Sequence, residues 1–174
     1  MCNLYSHTRA VDAMRQLFAN FDASGVNLPV QPGIFPDYPA PIIRNEGRSA
    51  RLAMTRWGMP SSKQAIYQAA TKRADKLRAK GKDVDFPELL KVEPDGGTTN
   101  VRNTASAHWK RWLGVESRCL VPFTSFSEFD YSAKQDICFA FGEARPTAMF
   151  AGIWTPLWTS GWHASDRSSW RCAG

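Results

Sequence analysis

Cys2 stands immediately behind Met1. Loss of Met1, which a small second side chain favours, would leave a chain that begins with an amine and a thiol on adjacent carbons. An N-terminal amine titrates near ~8 and a free thiol near ~8.5, so both are partly nucleophilic around neutrality. Such a pair has a chemistry of its own. The amine condenses with an aldehyde to a Schiff base, and the thiol then closes a five-membered thiazolidine ring. An internal cysteine lacks the amine and cannot do this. Against that stands the bland alternative that any residue can follow an initiator methionine.

The other reactive side chains exclude as much as they suggest. The remaining cysteines are Cys119, Cys138 and Cys172. No CxxC pair occurs, so neither a zinc knuckle nor a redox dithiol is indicated. No glycine-rich loop follows a strand, so no nucleotide cofactor is expected. Cys119 and Cys138 fall in apolar segments and read as buried thiols in a reducing compartment. The net charge is +6. It is concentrated in residues 63–82, where Lys63, Lys72, Arg73, Lys76, Arg78, Lys80 and Lys82 face only Asp75, so the rest of the chain is balanced. Such a stripe favours polyanions, or it is a solvated helix face. The seven Trp and ten Phe either fill a β-rich core or offer stacking faces to bases. A single-strand groove needs cations along its path and aromatics beside it. Arg56, Trp57 and Arg102 fit that pattern, although each also fits a purely structural role.

These residues must be positioned by a scaffold of 174 residues, which is long enough for one domain with a sizeable core. The spacing of Val11, Met14, Leu17, Phe18 and Phe21 predicts a helix over 8–21. Residues 24–41, rich in Pro and Gly, read as an irregular loop. Ile42–Arg44 and Ser49–Trp57 read as strands joined by a turn at Asn45-Glu46-Gly47. A helix over 62–80 carries a narrow apolar line of Ile66, Ala70, Ala74 and Leu77, with Gly81 as its stop. An acidic, glycine-containing loop over 83–99 follows. A short helix at 105–113 buries Trp109 and Trp112. Strands are expected at Arg118–Phe123, Ile137–Phe141 and Thr147–Trp154. The mixture predicts an α+β domain around a mixed or antiparallel, barrel-like sheet with peripheral helices. Residues 158–174 show no strand or helix period. They read as an atypical tail, consistent with a truncated or frame-shifted C-terminus beyond a domain of residues 1–157.

Four segments, in order, carry a resemblance. They are Met1-Cys2-Asn3-Leu4-Tyr5-Ser6, then Arg56-Trp57-Gly58-Met59, then Thr99-Asn100-Val101-Arg102-Asn103-Thr104, and finally Arg118-Cys119-Leu120-Val121-Pro122-Phe123 running on to Phe129. Together they resemble the SOS-response-associated peptidase (SRAP) family, over roughly residues 1–157. Members capture abasic sites in single-stranded DNA as a covalent thiazolidine crosslink during the response to DNA damage. The family name records a proposed peptidase activity that removes residues ahead of the cysteine. The resemblance implies that Cys2 is the nucleophile and that Asn100 holds the N-terminus and the bound sugar. It implies that Glu128 is the acid/base carboxylate beside the α-amine, and that Arg102 contacts a phosphate. Trp57 and Phe129 fall where the family places apolar groups beside the DNA cleft. The chemistry is consistent with those roles. A ring-opened abasic deoxyribose is an aldehyde, and a carboxylate such as Glu128 can take a proton from the amine and return it to expel water. Burial among Phe123, Phe126 and Phe129 would raise its useful pKa.

The chain departs from the family at one point. Members carry a histidine in a His-x-x-(Met/Arg)-Pro segment that helps open the sugar ring. Here the histidines are His7, His108 and His163, and none begins such a segment. No catalytic histidine is assigned, and loss of one general catalyst is worth ~10²–10⁴ in rate. Two other readings stay open. One is a non-covalent single-stranded nucleic-acid-binding module using the 63–82 stripe. The other is an N-terminal-nucleophile peptidase. No apolar run is long enough to span a bilayer and no signal peptide is present, so a monomeric cytoplasmic, nucleoid-associated protein without cofactor or membrane partner is expected.

Overall fold

The structure is a computed structural model that describes residues 4–15, 17, 21–156 and the backbone of 170–173. Its ten strands form two sheets. The first, of four strands, runs β3-β1-β7-β8. It comprises β1 (Leu4–His7), β3 (Gln31–Ile34), β7 (Ser125–Asp130) and β8 (Gln135–Phe139). The second, of six strands, runs β10-β9-β6-β4-β5-β2. Its members are β2 (Phe21–Asp22), β4 (Pro39–Glu46), β5 (Ser49–Trp57), β6 (Arg118–Phe123), β9 (Ala148–Pro156) and β10 (Trp170–Ala173). The short helices are α1 (Val11–Arg15), α3 (Phe86–Lys91) and α4 (Ala107–Lys110), beside the longer α2 (Lys63–Arg78). The class is α+β, as the sequence predicts.

The expectation of one barrel-like sheet is corrected: two sheets are present and they do not merge into a single barrel, although β10 joins β9 to β5 across the second. The reason lies at Thr124. β6 ends at Phe123 and β7 starts at Ser125, so the chain changes sheets at a one-residue corner. The Thr124 amide donates to the Ser6 carbonyl at 2.7 Å, turning the following strand onto β1 rather than onto β4. β10, in the segment where no strand period is visible, lies antiparallel to β9 and parallel to β5 at Arg171↔Arg56 and Cys172↔Trp57.

The core lies between the sheets. Tyr5 and Ile34 from the first meet Ala40, Ile42, Trp57, Val121, Phe123 and Trp154 from the second. β4 is buried from Ala40 to Arg44, because its other face packs Ile43 against Leu52, Met14 and Phe21. The β4–β5 hairpin turns through Gly47-Arg48, since Glu46 still pairs with Ser49. Gly47 takes φ +64°, which glycine adopts without a Cβ penalty.

Three further expectations change. Of the helix expected over 8–21, the described residues are helical at Val11–Arg15. Met14 is buried, Leu17 is half exposed, and Phe21 joins a strand beside Ala50. The 24–41 loop contains β3, and the 83–99 loop contains α3, whose Asp85 caps its own helix by accepting from the Glu88 amide. Cys138 is exposed rather than buried, because β8 is the outer strand of its sheet and nothing among the described residues covers it. Cys119 is buried as expected.

Candidate functional site

Cys2 lies outside the described residues. The strand that begins two residues after it is well defined. β1 sits inside the first sheet, with β3 on one side and β7 on the other. Leu4 pairs with Ser127, Tyr5 with Phe126 and Ser6 with Ser125. Ser127 directly precedes Glu128, and Glu128 pairs in turn with Ile137 of β8. The first and fourth sequence segments are therefore neighbours in one sheet. Glu128 is half-buried. Phe123 and Phe126 pack on the core side of the same hairpin, with ring centroids 5.8 Å apart. Phe129 is 44% exposed and packs edge-on against Tyr131.

The second and third segments are zipped together. Met59 and Thr98 exchange backbone hydrogen bonds of 2.8 and 2.7 Å. The Trp57 indole N–H donates to the Thr99 carbonyl at 3.4 Å. This pairing needs two glycines. Gly58 and Gly97 take φ of +134° and +73°, and a Cβ on Gly97 would sit 3.3 Å from the Gly58 Cα. Asp95 secures the approach, accepting from the Ser61 amide at 3.1 Å and the Gly97 amide at 2.9 Å. Asn100 follows at once, half-buried, its side-chain amide donating to the Thr99 hydroxyl at 3.1 Å.

Tyr5 joins the two halves. Its ring meets Trp57 edge-on with centroids 5.0 Å apart, while its backbone pairs with Phe126. The strand behind Cys2 is thus gripped by the Glu128 strand on one side and by the Trp57–Asn100 unit through its side chain. Trp57 is 5% exposed and belongs to the core. In this position its ring offers no free face to a base, and it acts by placing Thr99 and Tyr5. Arg56 is ion-paired to Asp37, whose amide donates to the Trp57 carbonyl. Arg102 is exposed on the loop after Asn100 and enters no ion pair among the described residues.

None of the described histidines stands free for catalysis. The His108 ring hydrogen-bonds the Pro60 carbonyl through Nε2 at 2.9 Å and lies against Trp109 and Trp112. His7 is fully buried in β1, and burial pushes its pKa down to about 4, so the ring is neutral at pH 7. His163 lies outside the described residues. Burial pushes the Cys119 thiol up to about 12, which makes it a poor nucleophile. No group of three His, Cys, Asp or Glu among the described residues is placed to hold a metal ion. No helix among them is long and apolar enough to cross a membrane. Tyr5 and Asp95 were not singled out by the sequence, although Asp95-Gly96-Gly97 carries a turn signature.

No protein-family model matches the chain, and no curated protein matches it. Solved structures do resemble it. A protein from Bordetella bronchiseptica superposes with a TM-score of 0.57 at 19% identity, over 99% of this chain and 70% of its own. A protein from Bacteroides thetaiotaomicron gives 0.59 at 16% identity, over 99% of this chain and 66% of its own. A phage-related protein from B. bronchiseptica gives 0.50 at 16% identity, over 99% and 68%. At these identities the likeness establishes a shared fold and nothing about activity. The chain spans about two thirds of the length of each of these proteins.

Proposed function

We propose that the protein captures abasic sites in single-stranded DNA as a covalent crosslink through Cys2, in the manner of the SRAP family that its four segments resemble. The observation that carries this reading is the convergence of those segments on β1. Leu4 pairs beside Glu128, and Tyr5 packs on the Trp57 unit that presents Asn100. With Met1 removed, the α-amine of Cys2 adds to the aldehyde carbon of the opened sugar. Glu128 takes the ammonium proton beforehand and returns it to the carbinolamine oxygen, which leaves as water. The thiol then adds to the imine carbon, its proton passes to the nitrogen, and the thiazolidine closes. One water is released in all. In this reading Asn100 orients the terminus and the sugar, Arg102 meets a phosphate, and Phe129 offers an exposed ring at the site's edge. Trp57 and Arg56 have positioning roles.

The test is a denaturing gel after incubation with abasic and intact single-stranded oligonucleotides, preceded by mass determination of the N-terminus. A retarded band is expected only with the abasic strand, and Cys2→Ala should abolish it. A retained Met1, or an identical band from Cys2→Ala, would refute the proposal. Hydrolysis of a peptide preceding Cys2 without any crosslink would favour the peptidase reading instead.

A further inference from the structure

We propose that α2 is a separate docking surface for double-stranded nucleic acid, read through its phosphates and independent of Cys2. The helix is firmly fixed. Ser62 caps it by accepting from the Ala65 amide, Ala70 and Ala74 are buried, and Tyr67 packs edge-on against Phe86 of α3. Its outward side carries Lys72 and Lys76, and Lys80 in the closing turn continues the row at the same spacing of four residues. At ~1.5 Å rise per residue Lys72 and Lys76 stand about 6 Å apart along the axis on one side of the helix, and Lys80 follows just past its end. All three are exposed, and none enters an ion pair among the described residues.

The nearby acids are engaged elsewhere. Asp75 pairs with Arg78 at 3.4 Å, and Glu93 pairs with Arg73 at 3.3 Å. Asp83 accepts from the Val84 amide, Asp85 caps α3, and Glu88 pairs with Lys91. Over residues 63–82 seven cations face only Asp75, so the row keeps a net positive charge.

The form of the surface selects its ligand. Single-strand sites combine cations with aromatic faces on which bases stack. Here the aromatic on the helix, Tyr67, lies about 140° around the axis from Lys72 and packs edge-on against Phe86, and the exposed residues between the lysines, Arg73, Asp75, Arg78 and Ala79, offer no aromatic face. A cationic edge fixed on a helix and without stacking groups suits a duplex, whose bases are already stacked and whose charge is dense and regular. The same edge has no exposed large apolar residue to enter a lipid surface.

The experiment measures equilibrium binding, by fluorescence anisotropy over a KCl series, to an intact duplex and to an intact single strand. Neither probe carries an aldehyde, so the result does not depend on crosslinking. The variant is Lys72→Gln/Lys76→Gln/Lys80→Gln. Glutamine keeps helix propensity, and circular dichroism checks the fold. Each lost duplex contact lowers the slope of log K against log salt by ~0.9, so a loss of about 2.7 is expected. Over a fourfold rise in salt the wild type should then lose roughly 40-fold more duplex affinity than the variant. Lys110→Gln, an exposed lysine on α4, should change the slope little. An unchanged duplex slope overturns the proposal. So does an equal loss on the single strand, which assigns the row to single strands, or an equal effect per charge from Lys110→Gln, which marks a diffuse charge effect.

Discussion

The contact between Gly58 and Gly97 holds the Asn100 segment against the Trp57 strand end, and its importance can be measured with two alanines. Gly97→Ala forces an L-residue to φ +73° and places a Cβ 3.3 Å from a backbone carbon that cannot swing aside. Gly81→Ala, past the end of α2, forces the same residue to φ +71° with nothing within 4 Å. The left-handed backbone costs ~1–2 kcal/mol in both. Only Gly97→Ala adds the steric term, about 1–3 kcal/mol for an overfilled site whose neighbours must shift by a few tenths of an ångström. For a chain of this length each kcal/mol moves Tm by ~2–4 °C, so Gly97→Ala should melt roughly 5 °C below Gly81→Ala. Thermal melts by circular dichroism at one pH make the comparison. The two variants should separate again in the crosslinking gel, with Gly97→Ala slower and Gly81→Ala at wild-type rate. Equal melting temperatures, or a greater loss in Gly81→Ala, would refute the argument that close backbone approach holds this unit together.

Two further outcomes follow from buried groups. His7 has a folded pKa of about 4 against an unfolded value near ~6.5, so the unfolded chain binds the extra proton first. Its contribution to stability is complete above pH ~6.5 and is lost as pH falls toward 4, by roughly 3 kcal/mol in all. Urea unfolding at pH 7 and 4.5 should show that decline, and His7→Leu should flatten it; equal slopes in the two proteins would refute the assignment. Native-state alkylation at pH 8, read by mass spectrometry, should modify exposed Cys138 and leave Cys119 protected until the protein unfolds. Comparable labelling of both thiols would contradict the burial of Cys119.

The strands that can be read from the chain are those whose own residues demand burial. Arg118–Phe123 and Ser49–Trp57 are found at the expected bounds, because apolar and β-branched residues alternate there between clear breaks. The first sheet, β8 apart, is illegible for the opposite reason. β3 is Gln-Pro-Gly-Ile, and β1 is Leu-Tyr-Ser-His. Each holds a single strand former, Tyr5 and Ile34, among residues that disfavour or do not specify a strand, and each is extended where a partner pairs with it. α3 was legible in principle, since Asp85 followed three residues later by Glu88 is a capping signature inside what reads as an acidic loop. The four site segments are visible as words in the sequence, but their meeting is not. Gly58 against Gly97 and Tyr5 against Trp57 are tertiary contacts, and no local period encodes them. The burial of Trp57 follows the same rule, because a tryptophan at a strand end reads equally well as a stacking platform and as core.

The place of β1 within its sheet has a consequence for how the protein is born. Ser6 must wait for Thr124, 118 residues later, before its carbonyl finds its donor. At ~5–20 residues per second a ribosome needs about 6–24 s to make that stretch. Throughout that interval β1 has no β7 to lock against.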